Sequence, residues 1–152
     1  MYFIKKLYCY HVVIPLIFGG LIYISLRSLS LRMFSWFKWI KIDFLISLIR
    51  TTVAPLKSHL PSWIYFSLPD ALWVYSFSSS FLILWKDEFR IGKYWLLPPI
   101  ILGSIVEVAQ GLKLFPGTFD MWDLIFTIFA LCLSVIIVNY KFNQNDKQKP
   151  SH

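Results

Sequence analysis

Four apolar stretches, at about residues 8–26, 68–85, 96–114 and 121–140, take up half of this 152-residue chain. Each is close to the ~20 residues that a helix needs to cross the hydrocarbon core of a bilayer. A soluble domain of this size has no interior large enough to hide four such helices. The expected fold is therefore all-α: a polytopic membrane protein built as a four-transmembrane-helix bundle. The composition agrees, with 57% hydrophobic and 19% aromatic residues against ~45–50% apolar residues in an ordinary globular chain. One transmembrane domain over 1–140 and a polar cytoplasmic tail over 141–152 account for the whole length.

The first stretch follows Lys5 and Lys6 and ends in Ser25-Leu26-Arg27-Ser28. No small-x-small cleavage site follows it, so it is expected to be an uncleaved first span rather than a signal peptide. Residues 31–50 are apolar in large part but interrupted by Arg32, Lys38, Lys41 and Asp43. A charge near the middle of a span costs ~2.5–3.5 kcal/mol, so this segment is expected to lie in the interface as an amphipathic helix. Trp36 and Trp39 suit that depth. Trp63, Tyr65 and Phe66 look like an aromatic belt, and Ser67-Leu68-Pro69-Asp70 has the form of a helix start with Ser67 as N-cap. Ser76, Ser79 and Ser80, and later Ala130 and Ser134, give small-residue faces for close helix contact. Lys86 to Arg90 is expected to be a charged turn. Pro98-Pro99 fits the first turn of the third span, and Phe115-Pro116-Gly117-Thr118 fits a type II turn.

The net charge of +7 does not indicate nucleic-acid binding, because the basic residues are interspersed with Phe, Trp, Ile and Leu rather than gathered on a solvated face. Membrane lipids are the expected partners. With both termini cytoplasmic, the inside segments hold eight basic residues (Lys5, Lys6, Lys86, Arg90, Lys93, Lys141, Lys147, Lys149) and the outside segments seven, six of them in the long first loop. Cys9 and Cys132 lie in apolar segments and read as small hydrophobes. His11, His59 and His152 are isolated, so no metal spacing exists, and no cofactor is expected.

Four crossings gather Arg27, Asp70, Glu107, Gln110, Asp120 and Asp123 at one side of the membrane. Glu107 and Gln110 are three residues apart and share a helical face. An ionisable group within a span is costly and faces the bundle interior, which makes Glu107 the most informative residue. Asp70, Asp120 and Asp123 also sit where helix N-termini favour acids, and Arg27 where a side chain can snorkel to headgroups. The six are candidate binding residues. No nucleophile elbow, P-loop or metal motif accompanies them.

Pro69-Asp70-Ala71-Leu72-Trp73-Val74-Tyr75-Ser76-Phe77, then Glu107-Val108-Ala109-Gln110, then Pro116-Gly117-Thr118-Phe119-Asp120-Met121-Trp122-Asp123 resembles the VanZ-like family of small bacterial membrane proteins. That family shows an Asp opening one span before an aromatic-rich run and Glu-x-x-Gln ending another. A Pro-Gly-Arg-type turn follows, then an Asp followed by Asn and Gly in the last helix. The likeness covers roughly residues 67–134. Thr118 stands where the family's Arg is common, Thr127 at the Asn, Ala130 at the Gly, and Trp73 at a place often held by His. The resemblance implies a role in the bacterial cell envelope, at the cytoplasmic membrane, with a link to glycopeptide resistance. Three function classes follow. One is a protein binding a lipid or envelope component through the outward-facing cluster. Another is a structural subunit of a larger membrane complex or homo-oligomer. The third is an intramembrane enzyme acting on a lipid headgroup with Glu107 or Asp123 as general base, which the missing nucleophile and metal set disfavour.

Overall fold

A computed structural model describes residues 2–86, 93–114 and 120–147, and within these not the side chains of 93, 100, 102–107 and 146. The described residues are helical and contain no strand. We label the helices α1 (Tyr2–Leu26), α2 (Arg32–Trp39), α3 (Asp43–Lys57), α4 (Ser62–Leu84), α5 (Leu97–Gly111) and α6 (Met121–Lys147), with a 3-10 turn at Lys93–Leu96 leading into α5. The charged turn expected after Lys86 and the expected Pro116-Gly117 turn lie outside the described residues.

α4 is the centre of the fold, and the reason is the size of its side chains. Ser67, Ala71, Ser76, Ser78 and Ser79 are all buried on it, so neighbouring backbones approach closely. α6 meets it with a stripe of its own: Thr127, Ala130, Ser134, Val138 and Phe142 recur at helical spacing and are buried. Ala130 packs with Ala71, Val74 and Tyr75, and Val138 and Phe142 with Leu82 and Ile83. Sequence numbers rise together, so α4 and α6 run parallel. α1 runs against both, since Leu7 joins the cluster of Ile83 and Phe142 while Tyr23 sits against Trp73, ring centroids 5.1 Å apart.

α1 approaches α4 tightly at Gly19. A Cβ there would meet the Trp73 ring at 2.7 Å and the Pro69 carbonyl at 3.1 Å, whereas one at Gly20 would meet nothing. Nearer its start, α1 widens to a π-helical turn over Cys9–Val13, with Ile14 N–H donating to the Cys9 carbonyl. Pro15, just beyond, lacks the N–H that an α-helix would offer to residue 11, which is a usual setting for such a widening. Within this turn the Val12 carbonyl accepts a 2.8 Å hydrogen bond from Ser76 Oγ, and Tyr8 OH accepts a longer one from Ser80 Oγ.

Several boundaries differ from expectation. The segment 31–50 is two helices rather than one, broken at Lys41, which has φ 59°. Lys41 N–H donates to Lys38 O and Ile42 N–H to Phe37 O, the two bonds of a Schellman cap with Lys41 in the place usually held by glycine. The same pair of bonds, Lys113 to Gln110 and Leu114 to Ala109, closes α5. α4 starts at Ser62, so Ser67 and Pro69 lie inside it rather than at its cap. Pro98 and Pro99 do fall in the first turn of α5. α6 continues to Lys147, so the first seven residues of the expected polar tail are helical, and Phe142 among them is core.

Gly19→Ala is expected to destabilise the purified chain by ~1–3 kcal/mol through overpacking, read as a lowered midpoint of thermal unfolding. Gly20→Ala is expected to leave that midpoint unchanged or slightly raised.

Candidate functional site

Arg27 is the first residue after α1, its backbone turned to an extended conformation. Its guanidinium crosses to α4, where Nη2 lies 3.3 Å from Asp70 Oδ2 and donates to the Phe66 carbonyl at 3.2 Å. The same guanidinium carbon stands 5.2 Å from the Tyr23 ring centroid and 5.1 Å from that of Phe66. The ion pair is thus held against two aromatic faces, an arrangement that favours Arg over Lys. Pro69 bears on it too. A proline inside a helix disturbs the carbonyls three and four residues back, and Phe66 is one of these. The Arg27 side chain is 22% exposed and that of Asp70 41%, so as a pair in water they contribute no more than ~1 kcal/mol. Asp70 lies in the third turn of α4, which removes the simple capping role that its sequence setting allowed.

Asp120 and Asp123 separate into different roles. Asp120 Oδ1 accepts the N–H of Trp122 at 2.9 Å and its carbonyl accepts that of Asp123 at 3.1 Å, so Asp120 caps α6. Asp123, in the first turn of α6, has its Oδ1 buried without a hydrogen-bond partner among the described residues, and so has Arg27 its Nε. Trp63 stacks on Phe126, centroids 5.2 Å apart, which places the start of α6 beside the start of α4.

α5 approaches from the other direction. Trp95, just before it, stacks on Phe81 and Trp85 at the far end of α4, with centroids 5.6 and 5.9 Å away. A helix of 15 residues advances ~22 Å, so α5 ends toward the level of Asp70. Gln110, half-buried, belongs to its last turn. Glu107 lies one turn earlier in the backbone, and its side chain is outside the described residues. The fold therefore brings Arg27 and Asp70 into contact, and directs Asp120, Asp123 and the end of α5 to the same end.

Two further polar links were not apparent in the sequence. Arg50 of α3 donates from Nη1 to the Ile24 carbonyl at 2.7 Å, with its guanidinium 5.1 Å from the Phe34 centroid. This fastens α2 and α3 onto the end of α1, close to Arg27. His11 Nδ1 lies 2.7 Å from Tyr75 OH, 64 residues away, so no local spacing announces it. Cys9 and Cys132 are both free and exposed.

No protein-family model, curated protein or solved structure matches the chain.

A double-mutant cycle measures the ion pair. Arg27→Met alone is expected to lower stability by up to ~1 kcal/mol, because it removes the ion pair with Asp70 and the hydrogen bond to the Phe66 carbonyl. Arg27→Met with Asp70→Leu is expected to recover most of that loss in thermal unfolding.

Proposed function

We propose that this chain is a four-span integral membrane protein of the bacterial cell envelope, of the VanZ-like type, that binds a lipid or envelope component through the Arg27–Asp70 end. Two helices, Tyr2–Leu26 and Met121–Asn145, are long and apolar enough to cross a membrane, yet only 17% and 22% of their apolar windows are buried. A core helix of a soluble protein would be mostly buried. Here Ile14, Ile17, Phe18 and Leu21 on α1, and Ile125, Phe129, Ile136 and Tyr140 on α6, form exposed apolar stripes opposite the packed faces. Stripes of this size call for lipid or a partner.

α4 lies between these two helices and is long enough, at 23 residues, to cross with them. Its serines lower its hydropathy because it faces protein rather than lipid. α5 with its 3-10 lead-in advances ~30 Å, the thickness of the hydrocarbon core. α2 and α3 expose Trp36, Trp39, Phe44, Leu45 and Leu48 and suit the interface. With both termini cytoplasmic, the Arg27–Asp70 end faces outward.

The observation on which the binding role rests is hydrogen-bonding capacity at that end that no described residue uses: the Arg27 Nε–H and one Asp123 carboxylate oxygen. Buried groups of this kind are costly unless something satisfies them. A hydroxyl-bearing headgroup supplies both an acceptor and a donor. The other reading, a structural subunit of a larger complex or homo-oligomer, is favoured by Arg27 Nη2, which Asp70 and Phe66 already engage.

The membrane reading predicts that the chain stays in the membrane pellet through alkaline carbonate washing; release into the supernatant would contradict it. The binding reading predicts that Asp123→Ala and Glu107→Ala accumulate and integrate normally but lose the lipid that co-purifies with the parent chain. An unchanged lipid complement in both variants would favour the structural role.

A further inference from the structure

The opposite end of the bundle holds a groove that the proposed binding role does not use. The start of α1 and the last turns of α6 meet there through Phe3 and Phe142, ring centroids 5.9 Å apart, and beside this contact lies a cavity of about 610 Å³. Lys6, Tyr10 and His11 line it from α1, and Lys141, Gln144 and Asn145 from α6. No described carboxylate lines it. Lys6, Lys141 and Gln144 are exposed, free to reach into the groove, while His11 is half-buried. The His11 ring has Nδ1 engaged with Tyr75 OH, which leaves Nε2 as the nitrogen available to a ligand. Gln144 already donates one N–H to Tyr140 OH at 2.7 Å and keeps a second. The lining thus combines two ammonium groups and neutral donors with the apolar surface of Phe3 and Leu7.

What adjoins the groove identifies its occupant. From its mouth, α1 continues with Ile14, Ile17, Phe18 and Leu21, and α6 leads back through Tyr140, Ile136 and Phe129, all exposed and apolar. A cationic pocket opening onto apolar helix faces suits a molecule with an anionic head and hydrocarbon chains. We infer that this groove is a binding site for an anionic phospholipid, with the phosphate between Lys6 and Lys141 and the acyl chains along the exposed faces of α1 and α6. The inference rests on the membrane reading above but not on the binding role of the Arg27–Asp70 end. With both termini cytoplasmic, the groove opens to the leaflet whose surface is negative and attracts basic residues. Such a lipid would couple α1 to α6, two helices that otherwise meet mainly through α4.

Membrane extraction comes first: full-length chain recovered from the cytosolic fraction without detergent would overturn both the membrane reading and this site. Detergent-extracted, delipidated chain is then titrated with dihexanoyl phosphatidylglycerol, dihexanoyl phosphatidylcholine or inorganic phosphate, and adducts are counted by native mass spectrometry. Phosphatidylglycerol is expected to bind in preference to the other two. Lys6→Gln and Lys141→Gln are each expected to weaken its binding about fivefold, with helical circular dichroism unchanged because both side chains are exposed. Lys57→Gln, at the other end of the bundle, is expected to bind as the parent does. Equal binding by parent and lysine variants would overturn the site. So would equal binding of phosphatidylcholine, and inorganic phosphate binding as tightly as the lipid would mean a free-anion site instead.

Discussion

The fold depends on how closely α1 and α6 can approach α4. Gly19 leaves no room for even one methyl group against Trp73 and Pro69, and Ala71, Ser76, Ala130 and Ser134 are small and buried where helices meet. In the membrane setting we propose, there is little hydrophobic drive to association between helices, so the contact would come from van der Waals packing of close backbones and from hydrogen bonds across them. Both are present: Ser76 Oγ to the Val12 carbonyl, and His11 with Tyr75. Other large apolar side chains on the same helices, Ile17, Phe18, Phe129 and Ile136 among them, are turned outward.

Close packing has a second effect, which is to give the bundle two chemically different ends. Because α1 runs against α4 and α6 runs with it, the residue that follows α1 meets the start of α4, and the start of α6 lies alongside. That is where Arg27 bridges to Asp70 and Phe66 and where one carboxylate oxygen of the half-buried Asp123 has no hydrogen-bond partner among the described residues. The same directions put the start of α1 beside the end of α6, and so bring Lys6 and Lys141 to one groove. The two ends differ in their mix of charge: Asp70, Asp120 and Asp123 stand with Arg27 and Arg50 at one end, while Lys6 and Lys141 line the groove at the other with no described carboxylate beside them.

Periodicity and residue size were informative in the sequence wherever the interaction is local. The Ala130 and Ser134 face, the Ser76 and Ser79 face, the prolines opening α5 and the cap at Asp120 all follow from short-range rules, and all are found. Two helix ends were hidden because Lys41 and Lys113 occupy left-handed positions where glycine is the usual signal. The start of α4 was misplaced for the opposite reason: Ser67-Leu68-Pro69-Asp70 has the form of an N-cap, but Ser62–Leu84 is continuous helix, stabilised through Pro69 by packing against α1. The link between Arg27 and Asp70 followed from counting crossings, whereas His11 to Tyr75 and Arg50 to Ile24 depend on tertiary packing that no spacing encodes. Thr127 and Ala130, where the VanZ-like pattern has Asn and Gly, are buried on the α4-facing stripe, so both positions bear on helix contact.

Single cysteines introduced into a background with Cys9 and Cys132 replaced by serine, and probed with a membrane-impermeant maleimide on intact and opened cells, test the arrangement most directly. Cysteines at Ser28 and Met121 are expected to label from one side of the membrane, and cysteines at Lys5 and Asn143 from the other. Labelling of positions 28 and 121 from opposite sides would contradict the account, because α1, α4 and α6 could not then bring their polar ends together.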